Sequence, residues 1–448
     1  MERNRYTQMN QEPRRQNQNT TAQRLRAMDR RWKREKRVLR LISLFLALVI
    51  VVLLCVVIVD FQRNTSQNDP DQPTGGEPNP GATTDTENTA PTPSEDNNHT
   101  VHFLAVGDNI IHDDIYADAR QRGDGEYLFT PMYEGVAEEI ANADVAYINQ
   151  EGPVAPGLSP SGYPTFNAPA SIAENLGDVG FDVINLANNH MTDKGASGLS
   201  QTTACFVNQD ANYTVIGGYT QQDYDQIRVR ECNGIKLAFL SYTTFVNDPN
   251  ASAVLSNDFI LPFPDEETIS RQVSLARQVA DVVIVSMHWG EENITQPTAQ
   301  MQNWAKVLAA QNVDVVLGMH SHTLMPIEWL DGTDGHQTLV AYSLGNFFGG
   351  MLDLGNLVGG LFTFDIVKQG DTVSINNVKL TPTVIHYEGV YASNADNRHS
   401  FGVYLLRDYT EEMAQKHGAR AGGTANVTLS SLRQQATQVI DESILQLD

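Results

Sequence analysis

From Val101 onward, short apolar runs rich in β-branched residues alternate with stretches of helical period, and five of these runs end in residues that can bind a metal. The runs include Val101–Val106, Val145–Ile148, Phe181–Leu186, Lys236–Leu240, Val282–Ser286, Val313–Leu317 and Thr338–Tyr342. Helical candidates between them include Thr130–Ala141, Ala170–Val179, Glu267–Ala280 and Thr298–Gln311. Strands that are apolar on both faces, with helices between them, predict a largely parallel, layered α/β domain. After Gly350 the runs alternate more (Leu361–Val367, Thr372–Leu380, Thr383–Tyr387), which predicts a β-rich second layer of the same domain. Residues 428–446 read as a terminal helix with Leu429, Leu432, Ala436, Val439, Ile440, Ile444 and Leu445 on one face.

The ends of the runs carry the chemistry. Val101–Val106 leads to Gly107-Asp108, and Val145–Ile148 leads to Asn149-Gln150-Glu151. Phe181–Leu186 leads to Asn188-Asn189-His190, the run ending at Ser286 to His288-Trp289-Gly290, and Val313–Leu317 to Gly318-Met319-His320-Ser321-His322. Ligands in open α/β folds bind beyond the carboxyl ends of strands, so these side chains are expected along one edge. Taken singly, each has an ordinary explanation: Asp108 can open a turn, and His190 can cap a helix or satisfy a core hydrogen bond. Together, four imidazoles, two carboxylates and an amide, with no thiolate, suit Mn, Fe or Zn. A shared carboxylate such as Glu151 has the chemistry to bridge two ions roughly 3.5–4 Å apart, as in two-metal hydrolysis.

The N-terminal part of the chain is organised differently. Leu41–Val59 is nineteen residues without a charge, with Ser43 its one hydroxyl; as a helix it would be roughly 28 Å long, close to the bilayer's hydrocarbon core. The apolar run continues past Cys55, and Leu54 stands where a lipoprotein would have a small residue, so a signal anchor is expected. Residues 1–40 hold thirteen Arg and Lys against four Asp and Glu, whereas the remaining 408 residues carry −33 of a net −24. Basic residues before an apolar span predict a cytoplasmic N-terminus, as an alternative to a nucleic-acid-binding arm, and a single-pass protein of the cell membrane with an extracellular C-terminal domain. The acidic bulk shows no basic stripe, so no nucleic-acid partner is expected. Residues 60–99, rich in Pro, Thr, Asn, Asp and Gly, bury too little to offset their ordering entropy and read as a disordered linker. Cys205 and Cys232 would face an oxidising exterior, where a pair is chemically allowed.

The chain has no GxSxG elbow and no GxxxxGK[ST] loop. Instead the ordered set VGDNIIH, NQEGP, FDVINLANNHMTDKG, VSMHWG, VLGMHSHTLMPIE and YSLGNFFGG, over about residues 101–365, resembles the CapA family of capsule and poly-γ-glutamate biosynthesis proteins. That family in turn is similar to the calcineurin-type metallophosphoesterases. The resemblance implies a layered metallophosphoesterase-like α/β sandwich over residues 100–390, a C-terminal extension over 391–448, and a metal-dependent hydrolase. It implies two divalent ions: Asp108 and His322 on the first, Glu151 bridging, and Asn189, His288 and His320 on the second. It makes His190 the general acid, with Asp108 and His190 the catalytic pair. Phosphoesterases of this type open with Asp-x-His; here Gly107-Asp108 stands alone, so His112 is a substitute candidate, and Asn149 and Asn346 are further candidates. Family members with an anchor and spacer sit beside a membrane-bound polyglutamate synthase, which implies synthase subunits and an anionic polymer as partners. The same resemblance allows a non-catalytic role in polymer assembly or binding.

Overall fold

The computed structural model describes residues 98–448 apart from 248–250, 256–257 and 392–396. The basic tail, the apolar span 41–59 and most of the linker therefore lie outside the described residues. Among the described residues no helix is long and apolar enough to cross a membrane. The last two residues assigned to the linker, Asn98 and His99, are already strand.

The strands are β1 (Asn98–Ile110), β2 (Val145–Glu151), β3 (Val183–Asn185), β4 (Thr214–Ile216), β5 (Tyr219–Thr220), β6 (Arg228–Cys232), β7 (Ile235–Thr243), β8 (Phe259–Ile260), β9 (Val282–His288), β10 (Val315–Met319), β11 (Ile327–Asp331), β12 (Gln337–Ala341), β13 (Asn346–Phe348), β14 (Val358–Gln369), β15 (Thr372–Glu388) and β16 (His399–Leu405). They form two large sheets, one ordered β16-β15-β14-β1-β2-β3-β4 with β13 beside β1, the other β11-β12-β10-β9-β7-β6; β5 and β8 pair separately. The metal-type runs are thus shared between two sheets. The late strands β14 to β16 do not form a second layer, as expected from their alternation. They extend the first sheet antiparallel from β1, because β14 pairs with β1 from Asn98 to Ala105.

Side-chain alternation explains why the second sheet is apolar on both faces. Leu237 and Phe239 of β7, Ile284 of β9 and Leu317 of β10 join the core between the sheets. Their neighbours Ala238, Leu240, Val283, Val285 and Val316 face a separate core with Ile269, Val273, Met301 and Leu308. These last four lie on the helices Glu266–Val279 and Ala299–Ala310. Asp265 caps the first helix through Thr268 N, with Glu266 and Glu267 in its first turn and Arg277 in its last, a charge order that suits the helix dipole. Phe103 of β1 stacks on Phe239 (centroids 6.3 Å) and on Phe364 (5.0 Å), tying the sheets together.

Two predicted helices are shorter than expected. Thr130–Ala141 is a 3-10 turn (Thr130–Met132) followed by a helix at Ala137–Ala141. Between them Gly135 passes so close to β16 that a Cβ would lie 2.4 Å from Val403 O. The terminal helix ends at Thr437. Ile444 to Gln446 instead clip onto β15, Leu380 N donating to Ile444 O (2.8 Å) and Gln446 N to Leu380 O (2.9 Å). The described residues from 397 onward belong to the same compact unit as the strands before them. Cys205 and Cys232 are free thiols, not a disulfide.

Candidate metal centre

The carboxyl ends of β1, β2, β3, β9 and β10 meet at one place, and a close backbone approach makes this possible. Asp108 N donates to Gly345 O (3.1 Å), and a Cβ on Gly107 would fall 1.8 Å from that same oxygen. Only glycine lets β1 lie against the segment that leads into β13, where Asp108 is in register with Asn346.

Asp108 is fully buried and held on both oxygens: Asn149 Nδ2 donates to Oδ1 (2.7 Å) and His320 N to Oδ2 (3.2 Å). Behind it runs a chain of amides. Asn185 Nδ2 donates to Asn149 Oδ1 (2.8 Å), and Ser241 Oγ from the other sheet donates to Asn185 Oδ1. Asn149 therefore orients a carboxylate through its amide N–H groups. His322 Nδ1 lies 3.2 Å from Asp108 Oδ2 and 3.0 Å from Asn346 Oδ1, while its Nε2 is 3.9 Å from Glu151 Oε1. Asn346 thus positions His322 from behind.

Two sets of donors lie within 4.8 Å of one another: Asp108, Glu151 and His322, and Glu292, His320 and His322. Nearby, His288 Nε2 is 3.0 Å from Asn189 Oδ1, and the His288 and His320 rings are 4.8 Å apart. Among the described residues, Glu151 Oε2, His288 Nδ1 and His320 Nδ1 are buried with no hydrogen-bond partner. A buried polar atom left unsatisfied costs free energy, and bound divalent cations would offset that cost; the residues present fit such ions. His320 and His322 also hold left-handed backbone (φ 95° and 58°), each at a cost of about 1–3 kcal/mol for a non-glycine residue.

The electrostatics show the same demand for positive charge. Burial, and then the neighbouring Asp108, push the Glu151 carboxyl well above its usual range. Burial opposes a charged His322, but Glu151 and Asp108 outweigh it and raise the imidazole to about 9. Burial holds His320 down to about 4 and His288 well below its ordinary value, so both are neutral donors. His112 is neutral for the same reason, lowered to about 4 by burial. Its Nδ1 accepts from Gly350 N (3.1 Å), and it belongs to neither donor set.

His190 sits beside these donors with Nδ1 2.8 Å from Asp193 Oδ2, the same oxygen that accepts from Phe166 N (2.7 Å). The Phe166 ring meets His190 edge-on at 4.7 Å, and Asn247 Nδ2 is 3.3 Å from His190 Nε2. Sequence reasoning did not single out Asp193, Asn247 or Glu292. Asp193 could have been found three residues after His190, and Glu292 two residues after His288-Trp289-Gly290; Asn247 carries no signal, because its loop follows β7, which ends in no metal-type residue.

Residues 102–351 match the family description "Bacterial capsule synthesis protein PGA_cap". The PGA biosynthesis protein CapA of Bacillus subtilis (strain 168) is 34% identical over 174 residues, 38% of this chain and 43% of that protein. The capsule biosynthesis protein CapA of Bacillus anthracis is 33% identical over 175 residues, 38% of this chain and 40% of that protein. The chain thus spans less than half the length of these curated relatives. Among solved structures, the calcineurin-like phosphoesterase YfkN from Bacillus subtilis aligns with a TM-score of 0.39 and 13% identity, over 64% of this chain and 90% of that one. The sulfate thiohydrolase SoxB of Thermus thermophilus aligns at 0.33 and 12%, over 62% and 56%. At TM-scores below 0.5 this likeness decides nothing about chemistry.

Proposed function

The chain belongs to the bacterial capsule synthesis protein family PGA_cap, and from that premise we propose that it is a membrane-anchored, extracellular, metal-dependent hydrolase serving capsule or poly-γ-glutamate synthesis and export. One observation carries the reading: buried Asp108, Glu151 and His322 form one donor cluster and His322 joins His320 in a second, while Glu151, His288 and His320 each keep a buried atom without a hydrogen-bond partner among the described residues. Asp108 and His322 would hold one divalent ion (Mn, Fe or Zn), Glu151 would bridge, and Asn189, His288 and His320 would hold the second. When bound, the ions supply Lewis-acid stabilisation of the charge that develops on a phosphoryl or carbonyl oxygen. His190 donates the proton to the leaving group from Nε2: Asp193 engages Nδ1, and the Asn247 amide, 3.3 Å from Nε2, marks the place that the leaving group would take. Phe166, packed edge-on against that ring, keeps water from one side.

The apolar span 41–59 and the linker support placement at the outer face of the cell membrane, beside subunits of a membrane-bound synthase. The excess of −33 outside the basic tail repels a polyanion, so an anionic polymer would be recruited by local cations, the bound metals first among them. The same anchor and linker favour a second reading, a non-catalytic component that helps assemble or hold the polymer. Metal content of the purified full-length chain, with hydrolysis of phosphodiester and γ-glutamyl substrates by wild type, His190→Ala and His320→Ala, separates the two. Bound metal with hydrolysis lost in both variants supports the enzyme. A metal-free protein, or variants that restore surface polymer to a deletion strain as well as wild type, would sink it.

A further inference from the structure

An Asp-x-His opening would place an imidazole two residues after Asp108, on the same side of β1. That position is Ile110, buried and apolar, and His112 is engaged by Gly350 N outside both donor sets. The loop that follows β9 offers a carboxylate instead. Glu292 stands within 4.8 Å of donor nitrogens of both His320 and His322, and His320 Nδ1 is buried without a partner among the described residues.

An exposed acidic side chain is ordinarily just solvated, but this one is held in place by its neighbours. Gly290 (φ 90°) and Asn293 (φ 63°) turn the loop back toward the histidines. Asn293 N donates to Ser321 O (2.8 Å), between the two histidines, and Thr323 Oγ1 donates to Ile294 O. Asn356 Nδ2 donates both to Asn293 Oδ1 (2.8 Å) and to His322 O (3.2 Å). The residues just after Glu292 are therefore fastened to the segment Ser321–Thr323, and the carboxylate is presented to the cluster while remaining open to solvent.

We propose that Glu292 is a metal ligand, its carboxylate joining the two-ion set where His322 of the first ion and His320 of the second come together. This rests on the two-metal reading above and adds to it. A third carboxylate makes the ligand set richer in oxygen, which favours Mn2+ over Zn2+ relative to a set of imidazoles. The role is also separable from folding, because Glu292 is exposed.

The test titrates Mn2+, and separately Zn2+, into metal-free full-length protein, comparing wild type with Glu292→Gln and Glu292→Asp, with thermal melting in chelator as a control. The expected result is two Mn2+ per chain in wild type, one of them weakened at least about tenfold in both variants, a smaller loss for Zn2+, and unchanged melting in chelator. Asp keeps the charge but not the reach. If it binds Mn2+ like wild type while Gln does not, Glu292 acts through its field and the inference falls. Two ions bound at wild-type affinity in both variants overturn this inference and leave the two-metal reading standing. Wild type that binds neither metal overturns both.

Discussion

The ends of β1 to β3 in the first sheet deliver oxygen donors, Asp108, Glu151 and Asn189, whereas β9 and β10 in the second deliver imidazoles, His288, His320 and His322. The two halves are held differently. Asp108 is gripped by Asn149 and the amides behind it, while His288 and His320 keep buried nitrogens without partners among the described residues. The oxygen half brings negative charge into a buried place. The imidazole half brings two neutral donors, His288 and His320, stripped of their protons by burial, and His322, whose proton Glu151 and Asp108 hold against its burial. Neither half is complete: carboxylates alone would hold hard ions loosely, and imidazoles alone would leave the buried charge of Asp108 and Glu151 uncompensated.

The sharpest way to break this comparison is Glu151→Gln. If Glu151 bridges the halves, both ions weaken together and hydrolysis falls by roughly 10³-fold, the several kcal/mol that metal stabilisation supplies. Retention of one ion at full affinity, measured by metal analysis, would show that the halves are independent. His288→Ala should cost only the ion of the imidazole half. His190→Ala should leave metal content intact and lower turnover by about 10²–10⁴-fold, the usual worth of a general acid. Removing the residues behind the ligands comes next: Asn149→Ala in one half and Asn346→Ala in the other should each weaken metal binding by about 10–100-fold. Equal losses would mean that the two halves are equally preorganised.

The smallest effect lies away from the site. Burial, then the neighbouring His417, push His386 down to about 3, and burial pushes His417 down to about 4. Their folded pKa values are depressed below the unfolded 6.5, so below that pH the unfolded chain takes up protons that the folded chain refuses. Their contribution is complete above about pH 6.5 and is lost as pH falls toward 4. Denaturant unfolding of metal-free protein at pH 7.5, 5.5 and 4.5 should show this decline, and His386→Gln should flatten it. A slope unchanged in that variant would place the acid sensitivity elsewhere, His112, His288 and His320 being the other imidazoles that burial lowers.

The central strands were legible because burial on both faces leaves a continuous apolar run, as in Val282–Ser286. Periodicity does not say which strands share a sheet, so the division of β1–β3 from β7, β9 and β10 was invisible. The same limit hid the attachment of β14 to β1. The helix Ala299–Ala310 was readable from its helical period, but the break at Gly135 depends on a distant carbonyl of β16. At the site, the ligand types were evident from the ends of the runs. The roles of Asn149 and Asn346 were not, since an amide reads the same whether it binds an ion or a neighbouring side chain. Glu292 stands only two residues past His288-Trp289-Gly290, but it lies in an exposed loop, and the hydrogen bonds that fasten that loop to Ser321 and Thr323 are what set it apart from a solvated acid.

The clip of Ile444 and Gln446 onto Leu380 reaches beyond the packing of the last residues. β16 pairs with β15 only from Thr383 onward, so without the clip the backbone at Leu380 would offer unpaired N–H and C=O groups on its other side. Such an edge is a template for a strand from another copy. A chain cut after Ile440 would keep every residue of the metal centre, and its defect would surface as aggregation on concentration, well before any loss of chemistry.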